Sequence, residues 1–169
     1  MDHGNSYMSG SLDETETTTI HIRVNETSYA LPRACMDQIH LVRTILENDP
    51  QETTLTIALP SMIHNPTRAI TQIVEYVLYH HENGPAGPIE KPLRSEHLRD
   101  SGVSLWDDMF ISKTDEELTD LASASNYLDI PFLLALCCAK IGSIMKSIIN
   151  QYPDKEVQQQ EVRKRWIGQ

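Results

Sequence analysis

The segment from Phe132 to Ile149 constrains the fold more than any other part of this 169-residue chain. Its apolar side chains cover most of the circumference of a helix that Pro131 begins: Phe132, Leu133, Leu134, Leu136, Cys137, Cys138, Ile141, Ile144, Met145, Ile148 and Ile149. A helix of this kind needs cover on more than one side. The domain supplies one side, and the other requires a further helix, a second copy of the chain or a partner protein. The same pattern also fits a central core helix, so both interpretations stay open.

Strand patterns come early in the chain. In the stretch "TTIHIRV" apolar and polar residues alternate, with Ile20, Ile22 and Val24 on one face, which predicts a strand. A turn at "NET" then leads to a second short strand, "SYAL", so the two form a hairpin. Pro32 begins a helical stretch that runs to about Glu47. After it, "ETTLTIALP" alternates again and predicts another strand. With helices following, this order predicts an α+β fold, a small sheet covered by helices.

The later helices carry clear start signals. Asn65 is a good N-cap, and Pro66 suits the first position of a long helix. Thr114 and Glu117 have the spacing of a capping box, which predicts a helix that starts there. Pro131 begins the apolar helix, and an amphipathic stretch from residue 154 to residue 166 follows it.

Charge and motif content exclude several classes of function. The formal net charge is −10, whereas binding to nucleic acid needs a positive face. The chain has no G-x-S-x-G, no Gly-rich phosphate loop, no H-E-x-x-H and no C-x-x-C, so we expect neither an enzyme nor a cofactor or metal ion. The longest apolar run, residues 130–139, is about half of a bilayer span, and no membrane segment is expected.

Three further expectations concern compartment and order. The three cysteines form no disulfide framework and favour a reduced compartment. The N-terminus lacks the basic and apolar regions of a secretory signal, so we expect the protein in the cytoplasm and nucleus. Residues 1–16 are polar and expected to be disordered, and the Gly- and Pro-rich connection 82–102 is expected to be mobile.

Three motifs in a fixed order carry a family resemblance. They are "LWDDMF" at 105–110, "NYLDI" at 126–130 and "EVRKRW" at 161–166. Together they resemble the Skp adaptor family of SCF (Skp–cullin–F-box) ubiquitin ligases, and the similarity extends over most of the chain. The resemblance implies a BTB/POZ fold, three strands flanked by helices, over residues 17–130. It also implies a C-terminal helical extension over residues 131–169 that binds the F-box.

The resemblance further implies an adaptor that performs no chemistry and bridges a cullin to an F-box substrate receptor. Asn126 and Tyr127 match the family residues that reach the cullin, and an amide with a phenol can hydrogen-bond at an interface edge while the ring is buried. Asp129 is expected to cap the helix after it instead. The expected receptor surface comprises Pro131, Phe132, Leu133, Cys137, Ile141, Ile144, Met145, Ile148 and Trp166.

Two departures from the family keep alternatives open. Phe132 stands where the family has glycine, and the segment "GKTPEEIRKTFNI", which contributes to the F-box clasp, is missing before "EVRKRW". One alternative is a Skp or elongin C-like paralogue that binds a non-F-box partner outside ubiquitin ligation. Another is a BTB protein whose apolar surface closes a homodimer when no partner is bound.

Overall fold

The computed structural model describes residues 19–166, so the predicted disorder of residues 1–16 lies outside the described part. Within it, three strands and six α-helices follow in the order β1 (Thr19–Val24), β2 (Thr27–Pro32), α1 (His40–Asn48), β3 (Thr54–Thr56), α2 (Pro66–Asn83), α3 (Leu105–Phe110), α4 (Asp115–Tyr127), α5 (Pro131–Gln151) and α6 (Lys155–Trp166). Two 3-10 helices, Arg33–Gln38 and Leu98–Ser101, precede α1 and α3. The α+β class predicted from the sequence is confirmed.

The sheet has the order β2-β1-β3. The predicted hairpin is confirmed: β1 and β2 are antiparallel, and Asn25 takes a left-handed φ of 54° in the turn. The side chains of Ile20, Ile22 and Val24 are buried, as the alternation predicts. Strand β3 is parallel to β1, which requires a crossover, and the first 3-10 helix with α1 provides it. Only three residues of the predicted third strand pair, so β3 is shorter than expected.

The single helix expected from Pro32 to Glu47 is broken at Ile39, which has φ −111° and ψ 87°. The break has a tertiary cause. The backbone N–H groups of His40 and Leu41 donate to the carbonyls of Asp129 and Leu128, at 3.1 and 3.2 Å. The first N–H groups of a helix need acceptors from outside it. The segment between α4 and α5 supplies them here, so α1 begins where that segment lies.

Helices α2 and α4 begin as their start signals predict. The Asn65 side chain accepts a hydrogen bond from Arg68 N at 2.9 Å, and Pro66 occupies the first turn of α2. Both halves of the capping box at Thr114 and Glu117 are present at the start of α4. Helix α4 packs against both α2 and α5, so the two signals position adjacent elements of the core.

Helix α5 lies in the core on one side only. Leu133, Leu136 and Cys137 join the cluster that includes the sheet, whereas Phe132 and Ile149 are exposed. By length and composition α5 could cross a membrane, since it has 21 residues and a window of mean hydropathy 1.8. The expectation that the chain has no membrane segment rested on the length of the uninterrupted apolar run, residues 130–139, alone. The core helix of a domain passes the same test, so these properties are weak grounds for a membrane span.

The connection between α2 and α3 is tied to α5. Lys146 Nζ donates to the carbonyl of Leu93 at 2.9 Å, and Ser143 Oγ donates to the carbonyl of Glu96 at 2.6 Å. Leu98 in the second 3-10 helix is 1% exposed. The structure therefore gives this connection a defined path across the domain, and its mobility stays a prediction.

Candidate functional site

The end of α4 places Asn126 and Tyr127 on the surface. Both residues are exposed, and Tyr127 is 42% accessible, so its ring is less covered than the sequence suggested. The buried residues Leu128 and Ile130 anchor the chain directly after them. Within residues 19–166 neither exposed side chain has an internal hydrogen-bond partner, which leaves an amide and a phenol available for another molecule.

The prediction that Asp129 caps α5 is wrong. Ile130 is the N-cap residue, and no side-chain hydrogen bond is made there. Asp129 instead adopts a left-handed φ of 53°, and its carboxylate meets His40 Nδ1 at 3.2 Å. Asp129 turns the chain between α4 and α5, and this exposed pair contributes little to stability.

The structure divides the predicted receptor residues of α5 into two sets. Leu133 and Cys137 are 0% exposed and face the domain core, so their inclusion in a partner surface is corrected. Their positions in the helix turn them toward the same cluster as Leu136. The other set is accessible: Pro131 and Phe132 are exposed, and Ile141, Ile144 and Met145 are half-buried.

Helix α6 folds back on the domain and covers part of α5. Ile148 is 7% exposed and borders a cleft beside α6, so it too is largely covered. Arg165 forms a two-pronged ion pair with Asp115 at the start of α4, with Nη2 to Oδ1 at 2.9 Å. Trp166 packs half-buried against the core, and its indole Nε1 is buried without a hydrogen-bond partner in the described part. The last helix thus closes against both α4 and α5.

The aromatic motif of α3 has a structural role. Trp106 stacks on Tyr79 with ring centroids 3.6 Å apart and planes 3° from parallel, and it also stacks on Phe110. Asp107 is buried, and its Oδ1 lies 2.9 Å from Nε2 of the buried His80. The other oxygen accepts from Ser104 Oγ at 2.7 Å. The sequence analysis missed this pair, because 27 residues separate its members.

A second buried carboxylate joins α4 to the start of α2. Asp120 is 1% exposed and accepts hydrogen bonds from the backbone N–H groups of His64 and Asn65, both at 2.9 Å, and contacts Arg68 Nη2 at 3.4 Å. Burial alone would raise the pKa of this carboxyl. The hydrogen bonds from Asn65 and His64 outweigh burial, so the pKa of Asp120 is lowered.

The lowered pKa of Asp120 predicts an acid-dependent loss of stability. Its contribution is present above about pH 4, the ordinary value for aspartate, and is lost as pH falls through the lower pKa of the folded state. Urea unfolding between pH 2 and 7 measures the dependence. We expect Asp120→Asn to show a shallower loss of unfolding free energy below about pH 4 than the parent. The exposed Asp129→Asn variant is the control, and parallel pH curves for Asp120→Asn and the parent would contradict the assignment.

Two of the three cysteines, Cys35 and Cys137, are buried. Burial raises the pKa of the Cys35 and Cys137 thiols, which keeps them protonated. Among residues 19–166 no three His, Cys, Asp or Glu side chains are arranged to hold a metal ion. The accessible features are instead an apolar helix face and an adjacent pair of hydrogen-bonding side chains.

Fold and surface together define the class: a BTB/POZ-like α+β domain with a C-terminal helical extension. The chain is 33% identical over 116 residues to an S-phase kinase-associated protein 1 homolog of Tetrahymena thermophila. The matched stretch covers 68% of this chain and 64% of the Tetrahymena protein, so this chain spans less than two thirds of that protein's length. It is 25% identical over 139 residues to an E3 ubiquitin ligase complex SCF subunit sconC of Talaromyces marneffei, covering 82% of this chain and 78% of that protein. It is likewise 25% identical over 125 residues to the Suppressor of kinetochore protein 1 of Schizosaccharomyces pombe, covering 74% of each chain. No protein-family model matches the chain. These similarities, at 25–33% identity over 68–82% of the chain, support a divergent member of the Skp family.

Proposed function

We propose that this protein is an adaptor subunit of an SCF-type ubiquitin ligase and bridges a cullin to an F-box substrate receptor without performing chemistry. Two of the similar proteins above are described as an SCF subunit or an S-phase kinase-associated protein 1 homolog. The observation that carries the proposal is the half-covered α5, whose accessible apolar face starts five residues after the unpaired Asn126. A chain with two accessible surfaces of different chemistry, one apolar and one hydrogen-bonding, suits a bridging role.

The first proposed surface binds the cullin through Asn126 and Tyr127. Both lie at the end of a helix that is fixed on two sides by α2 and α5, so the pair is held on a rigid element. Tyrosine is favoured at interfaces because it buries a large ring and keeps a hydrogen-bonding group. This surface requires no movement of the domain.

The second proposed surface binds the receptor through the accessible residues of the C-terminal helices. It comprises Pro131, Phe132, Ile141, Ile144 and Met145 of α5, with Trp166 at the end of α6. Burying one large apolar side chain contributes about 1.5–3 kcal/mol, so a few of them support a stable complex. We propose residues 17–130 as the cullin-binding part, residues 131–169 as the receptor-binding part, and the cytoplasm and nucleus as the place of action.

A double substitution at the first surface tests the cullin half. Asn126→Lys with Tyr127→Ala is expected to weaken binding to the N-terminal region of a cullin by at least about tenfold, because two interface contacts are lost and a charge is added. Calorimetric titration measures the affinity, and circular dichroism with a melting curve measures the fold. Loss of the fold would show that the pair is structural, and unchanged affinity would remove it from the cullin surface.

Reconstitution of the whole complex tests the adaptor role. The full chain is mixed with a cullin and an F-box protein from its own organism, and gel filtration with mass measurement identifies the species. A ternary complex is expected, whereas the cullin and the F-box protein alone should elute separately. Binding of a non-F-box partner without a cullin would support the paralogue alternative, which the shortened segment before "EVRKRW" favours.

Self-association is a second candidate role for the α5 face. Phe132 and Ile149 are each 52% exposed, which favours contact with another apolar surface in the partner-free protein. A measured mass of two chains at micromolar concentration, reverting to one chain when receptor is added, would support a partner-free homodimer. A monomer throughout would exclude it under those conditions.

A further inference from the structure

A cavity of about 280 Å³ lies at the N-terminal end of α5. Its walls come from five separate elements: the first 3-10 helix, the start of α1, the C-terminal half of α2, the loop at 84–86 and the first residues of α5. This volume is just below the range of about 300–1,000 Å³ that is usual for small-molecule sites. It therefore suits one large side chain of another protein better than a cofactor.

Three polar side chains in the cavity wall are already held by internal partners. Gln38 Nε2 donates to the carbonyl of Val77 at 2.9 Å, and His40 pairs with Asp129. Both ring nitrogens of His80 are engaged, Nδ1 with the carbonyl of Gly84 at 3.0 Å and Nε2 with Asp107 at 2.9 Å. These contacts fix the wall in place and leave few hydrogen-bonding groups for a very polar ligand.

Tyr76 also lines the cavity. It is 1% exposed, and within the described residues its hydroxyl has no hydrogen-bond partner. Burial raises the pKa of this phenol, so the hydroxyl stays protonated and keeps a hydrogen to donate. The hydroxyl itself is fully buried, so Tyr76 borders the cavity through other atoms of its side chain. An aromatic residue in a wall with few free hydrogen-bonding groups suits an inserted aromatic ring, as in tyrosine or tryptophan.

The charge at the rim indicates what stands next to that ring. Asp37 is exposed and, in the part of the chain that is described, has no ion-pair partner. The chain as a whole has a formal net charge of −10. A lysine or arginine beside the inserted ring would meet the Asp37 carboxylate, whereas an acidic neighbour would be repelled.

We propose that this cavity is an anchor pocket for one tyrosine or tryptophan side chain of a protein partner, with a lysine or arginine next to it contacting Asp37. Pro131 and Phe132 line the cavity and also begin the proposed receptor surface, so a polypeptide on α5 has a continuous path to the opening. The large side chain of Phe132 helps to form the wall. The pocket does not depend on the partner being an F-box protein, because its selectivity comes from this cavity alone.

Capped dipeptides test the pocket directly on the ¹⁵N-labelled full chain. Acetyl-Trp-Lys-amide at millimolar concentration is expected to shift the amide signals of Gln38, His81 and Ala86 saturably. Acetyl-Ala-Lys-amide should shift none of them, and acetyl-Trp-Glu-amide should bind up to about fivefold more weakly than the lysine peptide. Absence of saturable shifts with both tryptophan peptides would overturn the proposal.

Three variants locate the binding. Ala86→Trp fills the cavity and is expected to abolish the shifts, and Asp37→Lys is expected to reverse the preference between the lysine and glutamate peptides. Met62→Ala, at a 71% exposed apolar side chain outside the cavity wall, should bind as the parent does. Unchanged binding by folded Ala86→Trp would overturn the pocket. If Ala86→Trp fails to fold, the variant Asp37→Lys, at an exposed position, provides the test instead. An unchanged preference for the lysine peptide over the glutamate peptide would then refute the contact with Asp37. Failure of cullin binding in the reconstitution leaves these outcomes unaffected.

Discussion

Ile144→Asp is expected to weaken binding of an F-box receptor by at least about 30-fold while the isolated chain stays folded. Ile144 is half-buried and packs at the edge of the core, so its accessible part belongs to the proposed receptor surface. A receptor that covers this face would bury an unpaired carboxylate, which is strongly unfavourable. Loss of a central interface residue costs about 2–4 kcal/mol, which weakens binding about 30- to 1,000-fold.

Ile45→Asp is the matched control, because Ile45 is a 37% exposed isoleucine on α1, outside the proposed surface. Calorimetric titration with a receptor fragment gives the affinities, and urea unfolding of the free chains gives their stabilities. If Ile144→Asp unfolds the free chain and Ile45→Asp does not, the α5 face is internal core. If both bind the receptor like the parent, the receptor surface lies elsewhere.

Asp107→Ala is expected to lower the free energy of unfolding by about 3 kcal/mol, since one partner of a buried charged or strongly polar pair is removed. His80 Nε2 and Ser104 Oγ would both lose their acceptor in the interior. The midpoint of thermal unfolding should fall by about 6–12 °C for a chain of this size. The loss would also loosen α3, which this carboxylate joins to α2.

Two comparisons make the Asp107 result specific. Asp108→Ala changes the neighbouring carboxylate, which is only half-buried, and should cost less than about 1 kcal/mol. The double variant His80→Leu with Asp107→Leu removes both partners, and it should recover part of the stability that Asp107→Ala loses. Equal losses for Asp107→Ala and Asp108→Ala would show that the buried pair contributes nothing.

Local signals predicted those parts of the fold that short stretches determine. The alternation of Ile20, Ile22 and Val24 identified the central strand, and Asn65 with Pro66 identified the start of α2. The break at Ile39 was not predictable in this way, because its cause is a pair of carbonyl groups about 90 residues further along the chain. Strand β3 was predicted too long because the alternation in "ETTLTIALP" continues beyond the three residues that pair with β1.

The candidate site was predicted less completely than the fold. Spacing placed Leu133 and Cys137 in the apolar segment but could not tell which side of α5 meets the core. The importance of Asp107 and Asp120 was also missed, since a buried carboxylate and a solvated one look alike in a sequence. Only the position of the partner groups, His80 in one case and the start of α2 in the other, distinguishes them.

The one-sided burial of α5 has a consequence for how the chain reaches its folded state. Leu118 and Leu121 of α4 are 0% exposed, and α5 packs against this helix. During synthesis, that apolar surface stays open until the residues of α5 have left the ribosome. A chain shortened to residue 130 would keep the surface open permanently and be prone to aggregation. The segment proposed here to receive a partner is therefore also the segment that completes the folding unit.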